Sequence, residues 1–325
     1  MKIGITGAGG FVGSVLTKEL VALGHEVKGL LHQDDFPLKD IKYTKVIGDV
    51  LDAKLMMDFF SDVDIAIHTA ALISLKGDPT GIVTKVNVQG PKHVVAACLA
   101  GGVKRLVHFS SIHAMNAHPQ DKILDESREL VEEDAFKYDQ SKANGEREVL
   151  KGVEKGLDAV IICPTGIFGP YDAAPSPVGQ HLLDLYHRRL PALITGAYDF
   201  VDIRDIVSGA ITSMEKGVKG EKYLLSGHYI TIKDFAGTME KVTEKKAPRL
   251  VFPSWVQWIG LPFITLISKI TCRQPIYTNE TIKIFSHGEN IRNTKARKGL
   301  GYEPHSIEES MQAAFKWFGE NGQLK

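Results

Sequence analysis

A tyrosine and a lysine four residues apart are the side chains of this sequence best suited to acid–base chemistry. Tyr138 and Lys142 belong to the stretch YDQSK, and residues at this spacing share one face of a helix. A free tyrosine has a pKa of about 10 and is a poor acid or base at neutral pH. A neighbouring ammonium favours the phenolate and brings that pKa toward the working range. The pair therefore predicts proton transfer to or from a substrate oxygen.

A run of glycines at the beginning of the chain is a second chemical candidate. The apolar stretch Lys2–Thr6 leads directly into GAGGFVG, where Gly7, Gly10 and Gly13 fit the spacing GxxGxxG. Glycines between a strand and a helix let the backbone approach a pyrophosphate, and the helix N-terminus supplies unpaired N–H groups. The pattern predicts a dinucleotide site at the start of the first helix.

The end of the second apolar run bears on which dinucleotide binds. An acidic residue at this position holds a ribose 2′-hydroxyl, whereas a basic residue holds a 2′-phosphate. The run Glu26–Leu31 is followed by His32 and not by an acidic residue. We therefore favour NADP over NAD, with His32 meeting the phosphate. The alternative is NAD binding beside a solvated His32.

These candidates require elements that bring distant parts of the chain together. Apolar runs alternate with helix-period stretches over the first half of the sequence. Strands are predicted at Lys2–Thr6, Glu26–Leu31, Thr44–Ile47, Asp64–Thr69, Arg105–Ser110 and Ala159–Cys163, and helices at Phe11–Leu23, Asp52–Phe60, Pro79–Ala100 and Ala135–Lys155. Continuously apolar strands between helices predict an α/β fold, a doubly wound parallel Rossmann sheet.

The regular alternation of predicted strands and helices ends after Cys163. The Pro- and Gly-rich stretch Pro164–Gly179 is typical of a long functional loop. We expect residues 1–163, with about 201–225, to form a dinucleotide-binding Rossmann domain. Residues 164–200 and 226–325 are then a smaller α+β substrate lobe, interleaved with the first domain along the chain.

With the glycine loop, the YxxxK pair and Ser110-Ser111 ending the fifth strand, the chain resembles the extended short-chain dehydrogenase/reductase family, also called the NAD-dependent epimerase/dehydratase family. The resemblance implies a catalytic triad of Ser111, Tyr138 and Lys142. Ser111 would hydrogen-bond the substrate oxygen and Tyr138 would be the general acid or base. Lys142 would bind the ribose hydroxyls and tune Tyr138.

The resemblance also implies the cofactor contacts. Asp49-Val50 match the pair that contacts adenine, Ala70-Ala71 the segment under the cofactor, and Pro164–Pro170 the loop that receives the nicotinamide amide. Cys163 stands where that loop usually has arginine. The expected cofactor-binding residues are Gly7, Gly10, Phe11, Val12, Gly13, His32, Asp49, Val50, Ala70, Ala71, Tyr138, Lys142, Pro164, Thr165 and Ile167.

The second half of the chain resembles the dihydroflavonol reductase and 3β-hydroxysteroid dehydrogenase branch of that family. The stretches FVDIRDIV at Phe200–Val207 and LGYEP at Leu300–Pro304 carry this resemblance. The dehydratases have an Asp-Glu pair after the catalytic serine, and here Ile112-His113 stand in its place. The epimerase motifs are not cleanly matched either.

Three functions are compatible with these residues. The favoured one is an NAD(P)H-dependent oxidoreductase that interconverts a ketone and a secondary alcohol on a fairly apolar small molecule. The alternatives are a nucleotide-sugar epimerase with tightly bound NAD and a non-catalytic cofactor-sensing module. His113, Asn116 and Tyr171 are candidate substrate contacts.

Composition excludes several other classes. The 325 residues carry 39 basic and 39 acidic side chains, so neutralisation of a nucleic-acid backbone is not expected. Three separated cysteines indicate neither a disulfide framework nor a metal site, and they favour a cytoplasmic protein. The uncharged run Leu250–Ser268 approaches membrane-spanning length, but two prolines favour an apolar wall of the substrate lobe, so membrane contact is not expected. Homodimerisation is what the family resemblance implies.

Overall fold

The computed structural model describes residues 1–33, 36–74, 77–253 and 290–325. The strands are β1 (Lys2–Thr6), β2 (Glu26–Leu31), β3 (Thr44–Ile47), β4 (Ile65–His68), β5 (Arg105–Phe109), β6 (Ala159–Pro164), β7 (Gly166–Phe168), β8 (Leu193–Ile194), β9 (Ala197–Asp202), β10 (Lys222–Leu225), β11 (His228–Thr231) and β12 (Val251–Phe252). The helices are α1 (Phe11–Ala22), α2 (Ala53–Phe60), α3 (Ile82–Gly101), α4 (Lys137–Glu154), α5 (Pro177–Tyr186), α6 (Ile203–Lys216), α7 (Ile232–Thr243), α8 (Thr294–Leu300) and α9 (Ile307–Glu320).

A seven-stranded parallel sheet forms the centre of the molecule. Its strand order is β10-β6-β5-β4-β1-β2-β3, and each neighbouring pair runs parallel. The chain moves outward from β1 in one direction to β3 and then returns to β4 on the other side. The loops after β1 and β4 therefore diverge at the carboxyl edge, which is where open α/β sheets bind ligands. The predicted doubly wound fold is confirmed.

Two apolar layers cover this sheet. One contains α1 and α6 and includes Leu16, Leu20 and Ile206. The other contains α2, α3 and α4 and includes Phe59 and Val149. The inner strands β1, β4, β5 and β6 are buried on both faces, which explains why they appear in the sequence as largely apolar runs.

The stretch Pro164–Gly179 is not a single loop as the sequence predicts. It contains β7, which pairs in parallel with β9, and the beginning of α5. Ser176 caps α5 by accepting a hydrogen bond from the Gly179 N–H at 3.1 Å, and Pro177 follows as the first helical residue. A serine cap followed by proline is a helix-start signal, which the prediction overlooked.

A second, smaller layer of structure packs around the sheet β11-β9-β7. Its core is aromatic, with the rings of Phe200 and Phe235 stacked at 4.2 Å and Phe168 against both. Helices α5, α7 and α9 supply most of the remaining apolar side chains of this cluster. The strand β10 leaves this region and joins the central sheet. The predicted residue boundaries of the two domains stay a prediction.

Close packing of α3 against α4 determines where the carboxyl edge of the sheet meets α4. A side chain at Gly145 would place its Cβ 2.2 Å from the carbonyl oxygen of Asn87 on α3. The amide of Asn87 donates a hydrogen bond to Ser141 Oγ at 2.9 Å. The first turn of α4 is thereby held beside the end of β5.

Within the described residues, no helix combines the length and the apolar character needed to span a bilayer. Of the uncharged run Leu250–Ser268, the structure describes only residues 250–253, and Leu250 is 61% exposed. The remainder of that run, and with it the predicted apolar wall, lies outside the described residues.

Candidate active site

The glycine loop after β1 has the geometry of a phosphate cradle. Gly7 has φ +73°, which is in the left-handed region, and a Cβ there would lie 2.7 Å from the backbone nitrogen of Ala70. A Cβ at Gly13 would lie 2.1 Å from the carbonyl oxygen of Gly7. Gly10 is the N-cap of α1 and has no side chain to cap the helix, and the first turn has no acidic residue. The backbone N–H groups of this turn, around Phe11 and Val12, can therefore receive an anion such as a pyrophosphate.

The segment that the sequence places under the cofactor is firmly attached. Thr69 Oγ1 donates a hydrogen bond to the Thr6 carbonyl at 2.7 Å. The Asn87 side chain exchanges two hydrogen bonds with the backbone of Leu72, at 2.8 and 2.9 Å. Ala70 and Ala71 lie between these two attachments, next to Gly7. The glycine loop and this segment therefore face one crevice, and the residues present fit a dinucleotide.

His32 and Asp49 lie together at the carboxyl ends of β2 and β3. Their side chains are 71% and 42% exposed, and Nδ1 of His32 is 3.9 Å from Oδ2 of Asp49. Val50 is buried behind them. The Asp49 carboxylate would repel a phosphate placed beside His32. These residues can contact the adenosine end of a cofactor. His32 favours NADPH, whereas the neighbouring Asp49 favours NADH.

Ser111, Tyr138 and Lys142 converge at the end of β5. Ser111 caps the short helical turn Ile112–Ala114, where its Oγ accepts a hydrogen bond from the His113 N–H at 3.2 Å. Its side chain is also hydrogen-bonded to the phenol of Tyr138, in the first turn of α4. Lys142 follows one turn later and donates a hydrogen bond from Nζ to the Phe109 carbonyl at 2.8 Å.

In the protein alone, burial is the main influence on the pKa values of Tyr138 and Lys142. Burial and the nearby Asp139 carboxylate raise the pKa of Tyr138 above its ordinary value, against the hydrogen bond from Ser111, which lowers it. Burial lowers the pKa of Lys142 to about 8. The Lys142 ammonium donates its hydrogen bond to a backbone carbonyl and not to the phenol. Desolvation of the phenol is therefore the largest influence on the pKa of Tyr138. Tyr138 is therefore protonated at neutral pH and can donate a proton.

His113 joins the triad to the second lobe. Its Nε2 is hydrogen-bonded to the Tyr198 hydroxyl at 2.9 Å, and its Nδ1 lies 3.4 Å from Oδ1 of Asp139. The imidazole ring is 5.8 Å from the ring of Tyr138. Sequence reasoning missed Tyr198 and Asp139 as members of this group. Asp139 is adjacent to the catalytic tyrosine and could have been considered, whereas Tyr198 is 85 positions from His113.

The loop predicted to receive the nicotinamide is hydrogen-bonded to the buried carboxyl group of Asp199. Thr165 Oγ1 donates a hydrogen bond to Asp199 Oδ1 at 2.6 Å, and the Gly227 N–H donates to the same oxygen at 2.7 Å. Burial raises the pKa of Asp199 to about 6. Pro164 is buried and Ile167 is partly buried on either side of Thr165. The loop is therefore fixed to β9, next to Tyr198.

A cavity of about 910 Å³ opens beside His113. Asn116 also lines it, although its Oδ1 accepts a local hydrogen bond from the His118 N–H at 2.9 Å. Tyr171 lies elsewhere, with its ring 5.8 Å from the Lys18 ammonium of α1. The structure thus brings His113 and Asn116 to one cavity, and the role of Tyr171 as a substrate contact stays a prediction.

Comparison with known proteins gives a family match over most of the chain. The profile of the NAD dependent epimerase/dehydratase family matches residues 3–226. This range includes the glycine loop, the Ser111–Tyr138–Lys142 group and the Pro164–Pro170 loop.

Individual relatives span the whole chain. Sterol demethylase protein B of Methylococcus capsulatus is 32% identical over 324 residues, covering 98% of this chain and 99% of the relative. A putative dihydroflavonol 4-reductase of Synechocystis is 28% identical and covers 99% of this chain and 95% of its own. The crystal structure of gox2253 superposes with a TM-score of 0.86 at 28% identity, with 99% of each chain covered.

Proposed function

Because this chain belongs to the NAD dependent epimerase/dehydratase family, we propose that it reduces a ketone of a fairly apolar small molecule to a secondary alcohol. The chain is an NAD(P)-dependent oxidoreductase of the short-chain dehydrogenase/reductase type. The observation that carries the finer proposal is the convergence of Ser111, Tyr138 and Lys142 at the end of β5, beside His113, which lines the cavity. A protonated phenol beside a hydroxyl donor suits a carbonyl that must gain a proton.

Each residue of the triad has a distinct task in this reaction. Ser111 Oγ holds the substrate carbonyl oxygen, and the Tyr138 hydroxyl donates its proton to that oxygen as the carbonyl carbon is reduced. The Lys142 ammonium stabilises the phenolate that remains, and the phenolate then regains a proton from solvent. A bound NAD(P)H supplies the hydride that reaches the carbonyl carbon. The glycine loop, Asp49-Val50, Ala70-Ala71 and Pro164–Ile167 would hold that cofactor.

The lining of the cavity supports an uncharged, partly apolar substrate. Its apolar side chains include Met115, Val131 and Phe136, and its rim carries three consecutive acidic residues at 132–134. Among the described lining residues none is lysine or arginine. A diphosphate entering here would meet like charge, which disfavours the nucleotide-sugar epimerase. The name of the Methylococcus relative, sterol demethylase protein B, is consistent with an apolar substrate.

We propose NADPH as the preferred cofactor because His32 follows β2 where an acidic residue would select NADH. The nearby Asp49 opposes a 2′-phosphate, so the preference is expected to be modest, less than about tenfold in affinity. Measured dissociation constants for NADPH and NADH test this point. Tighter binding of NADH would contradict it.

Transfer of a labelled hydride tests the proposed reaction. The protein is incubated with C4-deuterated NADPH and a panel of apolar ketones, and separately with NAD and a panel of nucleotide sugars. Ketone reduction places one deuterium on the new carbinol carbon and consumes the cofactor in equal amount. Inversion of a sugar without cofactor consumption would instead establish the epimerase. Binding of the cofactor with no conversion of any compound would favour the non-catalytic module.

A further inference from the structure

A third residue follows Tyr138 and Lys142 on the same face of α4. Glu146 lies one more turn along the helix and is completely buried. Ser110 Oγ donates a hydrogen bond to its Oε2 at 2.6 Å. The ammonium of Lys222 on β10 lies 2.6 Å from its Oε1. A buried carboxylate is thereby paired with one hydroxyl and one cation next to the triad.

This carboxylate completes a set of contacts between α4 and the end of β5. Lys142 binds the Phe109 carbonyl, Glu146 binds the Ser110 hydroxyl, and Tyr138 binds the Ser111 hydroxyl. Three successive residues of β5 and its continuation are therefore each held by one turn of the helix. Since Ser110 is bonded covalently to Ser111, a displacement at Glu146 would also displace the hydroxyl that faces Tyr138.

The stability of the fold does not by itself explain an ion pair at this place. Removing two charges from water costs several kcal/mol per ion, and apolar replacements of buried pairs are often neutral or stabilising. Apolar side chains make up much of the same layer, where Ile161 and Leu224 are fully buried. A charged group retained here must serve geometry or electrostatics at the neighbouring residues.

The other titratable groups that face Lys142 carry no charge at neutral pH. Burial lowers the pKa of His68 to about 3 and that of His108 well below its ordinary value. Burial raises the pKa of the Cys163 thiol well above its ordinary value. Glu146 then supplies the negative charge that favours the Lys142 ammonium and opposes the effect of burial.

We propose that Glu146 is a positioning residue of the active site, which, paired with Lys222, holds Ser110 and α4 in register. It does not touch the substrate or the cofactor but acts through Ser111, Tyr138 and Lys142. The kinetic consequence rests on the proposed ketone reduction, whereas the effect on Lys142 does not.

The variant Glu146→Gln tests the electrostatic part. It keeps an amide oxygen for Ser110 but removes the charge, so the pKa of Lys142 should fall by about one unit. NMR of isotope-labelled lysine side chains measures this without a substrate. In the reductase assay the alkaline limb of kcat/KM should move to lower pH by the same amount, because the ammonium is lost earlier. The matched control is Glu148→Gln, which removes the same charge from a partly exposed pair with Lys151 on the same helix and should change neither quantity.

Ser110→Ala tests whether the contact between Glu146 and Ser110 positions Ser111. It also tests the positioning role if Glu146→Gln does not fold. It removes one hydrogen bond without changing charge, so kcat should fall about tenfold while the pKa of Lys142 and the cofactor affinity stay unchanged. Wild-type kcat in Ser110→Ala would overturn the positioning role. An unchanged Lys142 pKa in a folded Glu146→Gln variant would overturn the electrostatic role. Absence of ketone reduction by the wild-type protein would instead refute the proposed function and leave the NMR result standing.

Discussion

The glycine loop makes a quantitative prediction for Gly13→Ala. A Cβ at Gly13 would lie 2.1 Å from the Gly7 carbonyl oxygen and 2.9 Å from Thr69 Oγ1. Real Cβ contacts stay above 3.0 Å, so the loop must shift by about 1 Å to accept the methyl group. The same carbonyl accepts the Gly10 N–H at 3.0 Å, and that hydrogen bond would be distorted by the shift.

The expected loss of cofactor affinity follows from this shift. Moving the loop misaligns at least one N–H group that would face the pyrophosphate, and a hydrogen bond to a charged group contributes about 1.5–3 kcal/mol. The dissociation constant of the cofactor should therefore rise by about 10- to 100-fold. Overpacking should cost about 1–3 kcal/mol of stability, and the better helix propensity of alanine offsets about 1 kcal/mol of it.

Titration of the purified variant with NADPH and with NADH, followed by fluorescence, measures the affinities. Gly237→Ala is the matched control, because Gly237 lies in α7 and a Cβ there meets nothing within 4 Å. The control should keep wild-type affinity and gain up to about 1 kcal/mol of stability. Wild-type cofactor affinity in Gly13→Ala would refute the interpretation of this loop as the phosphate site.

Two further variants test the surroundings of the site. Burial raises the pKa of Asp199 from 3.8 to about 6, so the folded state binds this proton more tightly and loses up to about 3 kcal/mol as the pH rises through that interval. Urea unfolding should therefore show Asp199→Asn to be more stable than wild type at about pH 7 and equally stable below about pH 4. Equal stability of the two proteins at both pH values would contradict the raised pKa of Asp199. Tyr198→Phe removes the hydrogen bond to His113 and should lower the unfolding free energy by about 1 kcal/mol. The Tyr198→Phe variant should also raise the KM for the ketone without changing cofactor affinity. A changed cofactor affinity would instead place Tyr198 in the cofactor site.

The sequence was sufficient for most of the central sheet because its inner strands β1, β4, β5 and β6 are buried on both faces. The boundaries of β1, β2 and β3 match the predicted runs, since glycines and helix-period stretches delimit them. The Tyr138–Lys142 pair was visible because helical geometry converts a spacing of four residues into proximity. Ser111 was added through the resemblance to the extended short-chain dehydrogenase/reductase family, which implies a serine at the end of the fifth strand in the catalytic triad.

Pairings between distant residues were not predictable in this way. Tyr198 meets His113 and Lys222 meets Glu146 across separate elements, and no local pattern indicates such contacts. The degree to which the Tyr138 phenol is buried was not predictable either. Burial, together with the nearby Asp139 carboxylate, raises the pKa of Tyr138 in the protein alone, and it depends on the amount of protein around the phenol, which a sequence does not contain.

Single-turnover transfer of deuterium from C4-labelled NADPH to a ketone, in the wild type and in Tyr138→Phe, tests the central claim most directly. The variant keeps the ring but lacks the hydroxyl that is bonded to Ser111. It should bind NADPH with wild-type affinity and transfer deuterium about 10²- to 10⁴-fold more slowly, which is the usual contribution of a general acid. Transfer within a few-fold of the wild-type rate would contradict the assignment of Tyr138 as the proton donor.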